Sequence, residues 1–145
     1  MAAKKETEKI KTNKKAFPII GLGASAGGLS ALKAFFAKVP ENFDMAFVVV
    51  VHLSPQRPSI MASLIQTVTS LPVITIENRQ VIQAGHIYII PSQKQLTVEK
   101  STLQLQDREK KVETRTIDAF FRSLALDQGK NAAGIIFSGS GSDGT

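Results

Sequence analysis

The sequence has no cysteine and no tryptophan, only one tyrosine, and no apolar run approaching a membrane span. Without cysteine there are no disulfides, thiolate metal sites or thiol nucleophiles. A spanning helix needs about 20 largely apolar residues in a row, so membrane insertion is not expected. The first residues, MAAKKETEKIKTNKK, lack the apolar core of a signal peptide. A cysteine-free chain also suits a reducing compartment, and the expected location is the cytoplasm. Acidic residues are few, 12 against 18 lysines and arginines, which leaves a net charge of +6. That surplus is local: residues 1–15 hold six lysines and two glutamates and so contribute +4 of the +6. A disordered basic tail over 1–15 accounts for it. With so few aromatic residues and no interleaving of basic and aromatic side chains, nucleic acid is not an expected partner.

What is present is a chain of 145 residues, enough for one domain with a real core. Its 43% apolar and 21% charged residues are those of an ordinary globular protein. The chain is organised around residues 17–28, FPIIGLGASAGG, where an apolar run enters a glycine-rich turn containing Ser25. Pro18 to Leu22 reads as a buried strand and Gly27 to Val39 as an amphipathic helix, with Leu29, Leu32, Phe36 and Val39 at helical spacing before Pro40. Ala46 to Val51, AFVVVV, is the pattern of a parallel strand buried on both faces, and it runs into His52. A turn over 53–57 leads to a helix opened by Pro58 and marked by Ile60, Met61, Leu64, Ile65 and Val68.

Further strands are expected at Pro72 to Ile76 and His86 to Ile90, joined by a connection with a short extended segment. Residues 95–99 and 102–106 alternate strictly between polar and apolar, the signature of a hairpin with one wet face. A charged loop follows over 107–115. Then come an amphipathic helix from Ile117 to Gln128, Gly129 as its C-cap, and a last strand from Ala132 to Phe137. The order implies a three-layer α/β/α fold, an open, mostly parallel, doubly wound sheet with one antiparallel hairpin, in one domain over 16–145. In such sheets ligands bind outside the carboxyl ends of the strands. Ser25, His52 and Asp143 each follow a strand there. His86 precedes its strand, lies at the opposite edge, and reads as structural.

Three readings of the glycine turn stand side by side. Gly21, Gly23 and Ala26 satisfy G-x-G-x-x-A, a dinucleotide fingerprint, but the acidic residue wanted at the end of the second strand is replaced by His52. A Walker loop is excluded, because no Gly-Lys-Ser/Thr follows. In the second reading Ser25 is a nucleophile, His52 its base and Asp143 the carboxylate that orients the base, with backbone N–H groups near Ser25 and over 139–142 as oxyanion donors. In the third, Ser25 is a turn or cap residue, His52 a hydrogen-bonded structural group and Asp143 part of an Asp-Gly turn.

The stretches GLGASAGG, VVVVHLSP, GHIYIIPSQKQLTV, IDAFFRSLALDQG and GIIFSGSGSDGT, in this order from about Phe17 to Thr145, resemble the chemotaxis protein-glutamate methylesterase family of the CheB type. The variants IDAFFRSLALDQG and SGSGSDGT are most similar to esterase modules fused to a CheR-type methyltransferase. The resemblance implies a serine hydrolase that removes methyl esters from glutamates on the cytoplasmic helices of chemoreceptors, and that also deamidates certain glutamines. It implies no cofactor and no metal. On the matching motifs it makes Ser25 the nucleophile, His52 the base and Asp143 the triad aspartate, with the backbone N–H groups of Ala26 and Ser140 as the oxyanion hole. Ala26 and Ser140 stand where the family commonly has threonine and methionine. No receiver domain precedes the esterase segment, so the phosphorylation control of stand-alone members is expected to be missing. Family members continue past the aspartate loop, whereas this sequence stops two residues after Asp143. A domain incomplete at its C-terminus, impaired activity and self-association through an uncovered sheet edge are therefore expected.

Overall fold

A computed structural model of the chain describes residues 16–25, 28–51, 60–107 and 116–137. In chain order the elements are β1 (Ile19–Ala24), α1 (Leu29–Ala37), β2 (Ala46–Val51), α2 (Ile60–Gln66), β3 (Val73–Thr75), β4 (Gln80–Val81), β5 (Ile87–Ile89), β6 (Lys94–Glu99), β7 (Thr102–Asp107), α3 (Thr116–Gln128) and β8 (Ala132–Phe137). Five strands form a parallel sheet in the order β3-β5-β2-β1-β8. The all-apolar run of β2 lies near its middle, and all six of its residues are buried. β-branched side chains on alternate sides of such a strand fill two cores at once.

Those cores are distinct. On one face α1 and α2 bring Leu32, Phe36, Met61 and Ile65 against Leu22, Ala24, Phe47, Val49 and Val51. On the other, α3 sets Ile117, Phe120 and Leu124 against Val48, Val50 and Ile19. The spacing of these three residues is the helical stripe expected from the sequence. The three-layer, mostly parallel arrangement is thus present, with two adjustments. β1 runs two residues past the expected end, through Gly23 and Ala24, because both pair with β2 and β8. The hairpin does not join the parallel sheet. With β4 it makes a separate antiparallel sheet, β4-β7-β6, which shares the third layer with α3. Strands with one wet face cannot sit inside a sheet covered on both sides, and this hairpin packs Leu96 and Val98 of β6 and Leu103 of β7 inward onto the core beside Tyr88.

Polar ties hold the small sheet in place. The Tyr88 hydroxyl accepts from the Gln83 N–H at 2.8 Å and donates to the Val81 carbonyl, joining β5 to the β4 connection. Burial, the larger influence, raises the Tyr88 pKa above its ordinary value against that backbone hydrogen bond. The Ser123 hydroxyl of α3 accepts from the Val98 N–H at 3.0 Å. The hairpin turn places Lys100 at φ 51° and Ser101 at φ 56°, the pair of left-handed residues that a two-residue turn between twisted strands requires. Neither is glycine, and the conformation is supported by α3: the Asp127 carboxylate accepts from the Lys100 N–H at 2.6 Å and the Ser101 N–H at 3.0 Å.

Burial opposes ionisation of Asp127, but hydrogen bonds from Ser101, Gln128 and Lys100 together outweigh it and hold the carboxyl below its ordinary value. A carboxyl whose folded pKa is depressed stabilises the fold above its unfolded pKa of about 3.9 and loses that contribution as pH falls through the folded value. Asp127→Ala is expected to lower unfolding free energy by about 1 kcal/mol at neutral pH, a figure already reduced for solvent screening. The gap to the unsubstituted protein should shrink towards about pH 3. Urea titrations at both pH values check this, and a gap that persists in acid would contradict it.

Candidate active site

Between β1 and β8 the chain changes direction. From β1 it moves through β2 towards β5 and β3, and it returns on the other side of β1 as β8. The helix after β1 covers one face and the helix before β8 covers the other. A crevice outside the carboxyl ends of two such strands is the place where open α/β sheets bind ligands. The strands end level there: Ala24 pairs with Val51 on one side and with Phe137 on the other. Neighbouring strands lie about 4.8 Å apart, so these three strand ends lie within about 10 Å of one another.

Ser25 is the first residue beyond β1. It is half-buried, and its carbonyl accepts the Gly28 N–H at 2.8 Å, closing the turn into α1. Gly28 caps α1 without a side-chain hydrogen bond. The first N–H groups of a helix have no partner within it and favour negative charge beside them. Of the candidate site residues, Ser25 is the one the structure describes. Ala26, His52, Ser140 and Asp143 lie outside the described residues. Val51, immediately before His52, and Phe137, six residues before Asp143, are both at the carboxyl edge of the sheet.

His86 lies at the opposite edge, as expected. It precedes β5, its carbonyl accepts the Phe47 N–H near the start of β2, its Nδ1 is 2.9 Å from the Ala84 carbonyl, and its ring stacks on Tyr88. These contacts give it a structural place. Among the described residues the groups with displaced pKa, Tyr88, Asp107 and Asp127, belong to the small sheet and its supports. Among the described residues no cluster of His, Cys, Asp or Glu has the makings of a metal site, and no helix is long and apolar enough to cross a membrane.

The glycines of the G-x-G fingerprint have a different job from the one their spacing suggested. Gly21 and Gly23 are interior residues of β1, paired on both sides. A Cβ on Gly21 would lie 2.9 Å from Phe121 Cε1 and 3.1 Å from Phe120 Cε2, and a Cβ on Gly23 would lie 2.7 Å from Ile117 Cγ2. In β8, a Cβ on Gly134 would meet the Phe121 ring at 3.0 Å. The row therefore lets α3 rest on strand backbone. In a dinucleotide site the first glycines form the turn beneath the pyrophosphate, and here a helix fills that role's space. This use of glycine was not legible from the motif, because the residues it accommodates are about a hundred positions away.

The family model for CheB methylesterase matches residues 20–145. The chain belongs to the CheB methylesterase family. It is 33% identical over 141 residues to the protein-glutamate methylesterase/protein-glutamine glutaminase of Hydrogenovibrio crunogenus, a match over 91% of this chain and 36% of that protein. The protein of the same name from Treponema denticola is 33% identical over 87% of this chain and 35% of its own length. A 39% identical stretch of 85 residues, 59% of this chain, occurs within an uncharacterized 104.1 kDa protein of Rhodobacter capsulatus, of which it makes up 9%. The chain thus spans about a third or less of these curated relatives. Among solved structures, the Thermotoga maritima CheB methylesterase catalytic domain superposes with a TM-score of 0.79 at 25% identity, over 90% of this chain and 72% of that one.

CheB membership and the strand glycines both argue against a dinucleotide site. Millimolar NAD is expected to leave the thermal unfolding midpoint unchanged, since a ligand stabilises only what binds it. A saturable rise in a melting titration would reinstate the cofactor reading.

Proposed function

We propose that this chain carries a serine hydrolase site that demethylates glutamate methyl esters on the cytoplasmic helices of chemoreceptors. The same site would deamidate glutamine side chains. The observation that carries this reading is the level ending of β1, β2 and β8 at the switch point. Ala24 pairs with Val51 and with Phe137 there, Ser25 follows Ala24, and in sequence His52 follows Val51 while Ser140 and Asp143 come soon after Phe137. Family membership and the names of the relatives from Hydrogenovibrio and Treponema support the reaction type.

In this reading the Ser25 hydroxyl attacks the ester carbonyl carbon while the His52 ring takes its proton. Asp143 orients the imidazole and stabilises the imidazolium. The backbone N–H groups of Ala26 and Ser140 hold the oxyanion. A backbone donor needs no particular side chain, so alanine and serine serve there. Collapse of the tetrahedral species expels methoxide, which leaves as methanol with the proton from His52. Water then attacks the acyl group left on Ser25 Oγ while the same ring takes its proton; the Oγ–acyl bond breaks, the ring returns the proton to Ser25, and the free carboxylate departs. With glutamine, the leaving group is ammonia.

The Rhodobacter relative supports a setting in which such a unit forms a small part of a much longer polypeptide. A CheR-type methyltransferase is the expected neighbour, which would place addition and removal of the methyl group in one molecule. Self-association through β8 is the other proposed contact. Among the described residues β8 pairs only with β1, its sequence AAGIIF has no charge to discourage strand pairing, and Ile136 is 41% exposed. Sedimentation velocity over a concentration series should then show a dimer that Ile136→Lys removes. A monomer at all concentrations would contradict this contact.

The test of the reaction is methanol release from methylated receptor. Ser25→Ala and His52→Ala should each lower it by about a millionfold, to background, and Asp143→Asn by about 10⁴-fold. For the unsubstituted protein the rate should fall in acid, where a histidine base becomes protonated. A folded protein that binds receptor but releases no methanol would favour a docking module instead.

A further inference from the structure

Ile117 of α3 packs on Gly23 of β1, two residues before Ser25. Gly21 and Gly23 are alternate residues of β1, about 6.7 Å apart on one face, and Ser25 is two residues beyond Gly23. Ile117 is 3% exposed, and its Cγ2 occupies the space where a Cβ on Gly23 would sit. The helix that presents it has little freedom. Towards its C-terminal end Ser123 is bonded to β6 and Asp127 to the hairpin turn, while Phe120, Phe121 and Leu124 crowd Gly21. α3 is thus fixed to the small sheet at one end and pressed onto bare backbone at the other.

We infer that Ile117 is a positioning residue for Ser25: resting on Gly23, it sets the height of the end of β1 and so of the nucleophile. The inference rests on the reading of Ser25 as a nucleophile. It gives the glycine pair a catalytic consequence through packing. A methyl group on Gly23 forces either α3 outward or the end of β1 away from it. The second movement displaces the residue two positions on. A methyl on Gly21 meets comparable crowding, but four residues from Ser25 and against ring edges and a leucine methyl. It should cost stability without displacing the turn.

The experiment is the second-order rate at which a fluorophosphonate labels Ser25, with the labelled residue identified by mass spectrometry and the unfolding midpoint measured for every variant. Gly23→Ala is expected to slow labelling by about tenfold or more, the scale on which sub-ångström to ångström misplacement acts. Gly21→Ala is expected to lower the midpoint yet label within about twofold of the unsubstituted rate, which a purely structural role for the row would not separate. Ile117→Ala should also slow labelling. Gly23→Ala combined with Ile117→Ala should label faster than Ile117→Ala alone, because the new methyl refills the contact. That pair decides the matter if Gly23→Ala alone does not fold. Labelling of folded Gly23→Ala at the unsubstituted rate, equal slowing by Gly21→Ala, or a double variant no faster than Ile117→Ala would each overturn the inference while leaving Ser25 a nucleophile. An unsubstituted protein that is folded but not labelled at Ser25 would overturn the nucleophile reading and this inference with it.

Discussion

A helix resting directly on strand backbone is the contact on which the rest of this fold depends. Gly21 and Gly23 in β1, with Gly134 in β8, leave room for Ile117, Phe120 and Phe121 of α3. Side chains at those strand positions would hold the helix off the sheet. The core that α3 shares with the small antiparallel sheet would then open, because Leu96, Val98 and Leu103 pack into the same cluster as Ile117, Phe120 and Leu124. Voids in such a core are costly, since neighbouring side chains relax only in part. The opposite face has a different character. There, aromatic rings of α1 and β2 meet edge to face, Phe36 against Phe47 and Phe35 against Phe47, and Phe35 also reaches Phe137 at the end of β8.

Both packings bear on the strands beside the switch point. α3 bears on β1 from one side, and Phe35 ties α1 to the last residue of β8 from the other. A site assembled from the connections after β1, β2 and β8 inherits its geometry from that pairing. Catalytic groups on connections above a rigid sheet can vary their chemistry while the strands hold the spacing. The same logic accounts for the contrast between Ser25 and His86. Both stand next to a strand, but at opposite edges of a parallel sheet, and only the carboxyl edge carries the switch point.

Much of this was legible in the sequence, for identifiable reasons. AFVVVV admits one reading, since six consecutive apolar and mostly β-branched residues need cover on both faces. The stripe of α3 and the alternation of β6 and β7 are likewise periodic signals within one element. What was not legible depended on distant residues. β1 continues through Gly23 and Ala24 although glycine disfavours strands, because pairing with β8 and packing from α3 decide the matter. β4 is two residues long and exists only through its pairing with β7. The hold of Asp127 on the hairpin turn joins residues 26 and 27 positions apart, with no local pattern to announce it. Ser25 itself was found by its place in the chain, at the end of an apolar run and ahead of a helix. Local sequence could not say whether the glycines before it served a phosphate, a turn or a helix.

The most direct measurement of the central claim is a crystal structure of the chain after reaction with a methylphosphonate ester. Phosphorus should be bonded to Ser25 Oγ, with the phosphonyl oxygen within about 3 Å of the backbone nitrogens of Ala26 and Ser140. The His52 ring should lie within hydrogen-bond reach of Ser25 Oγ on one side and of the Asp143 carboxylate on the other. An adduct on another residue, or a His52 ring turned away from an Ser25 adduct with Asp143 elsewhere, would contradict it.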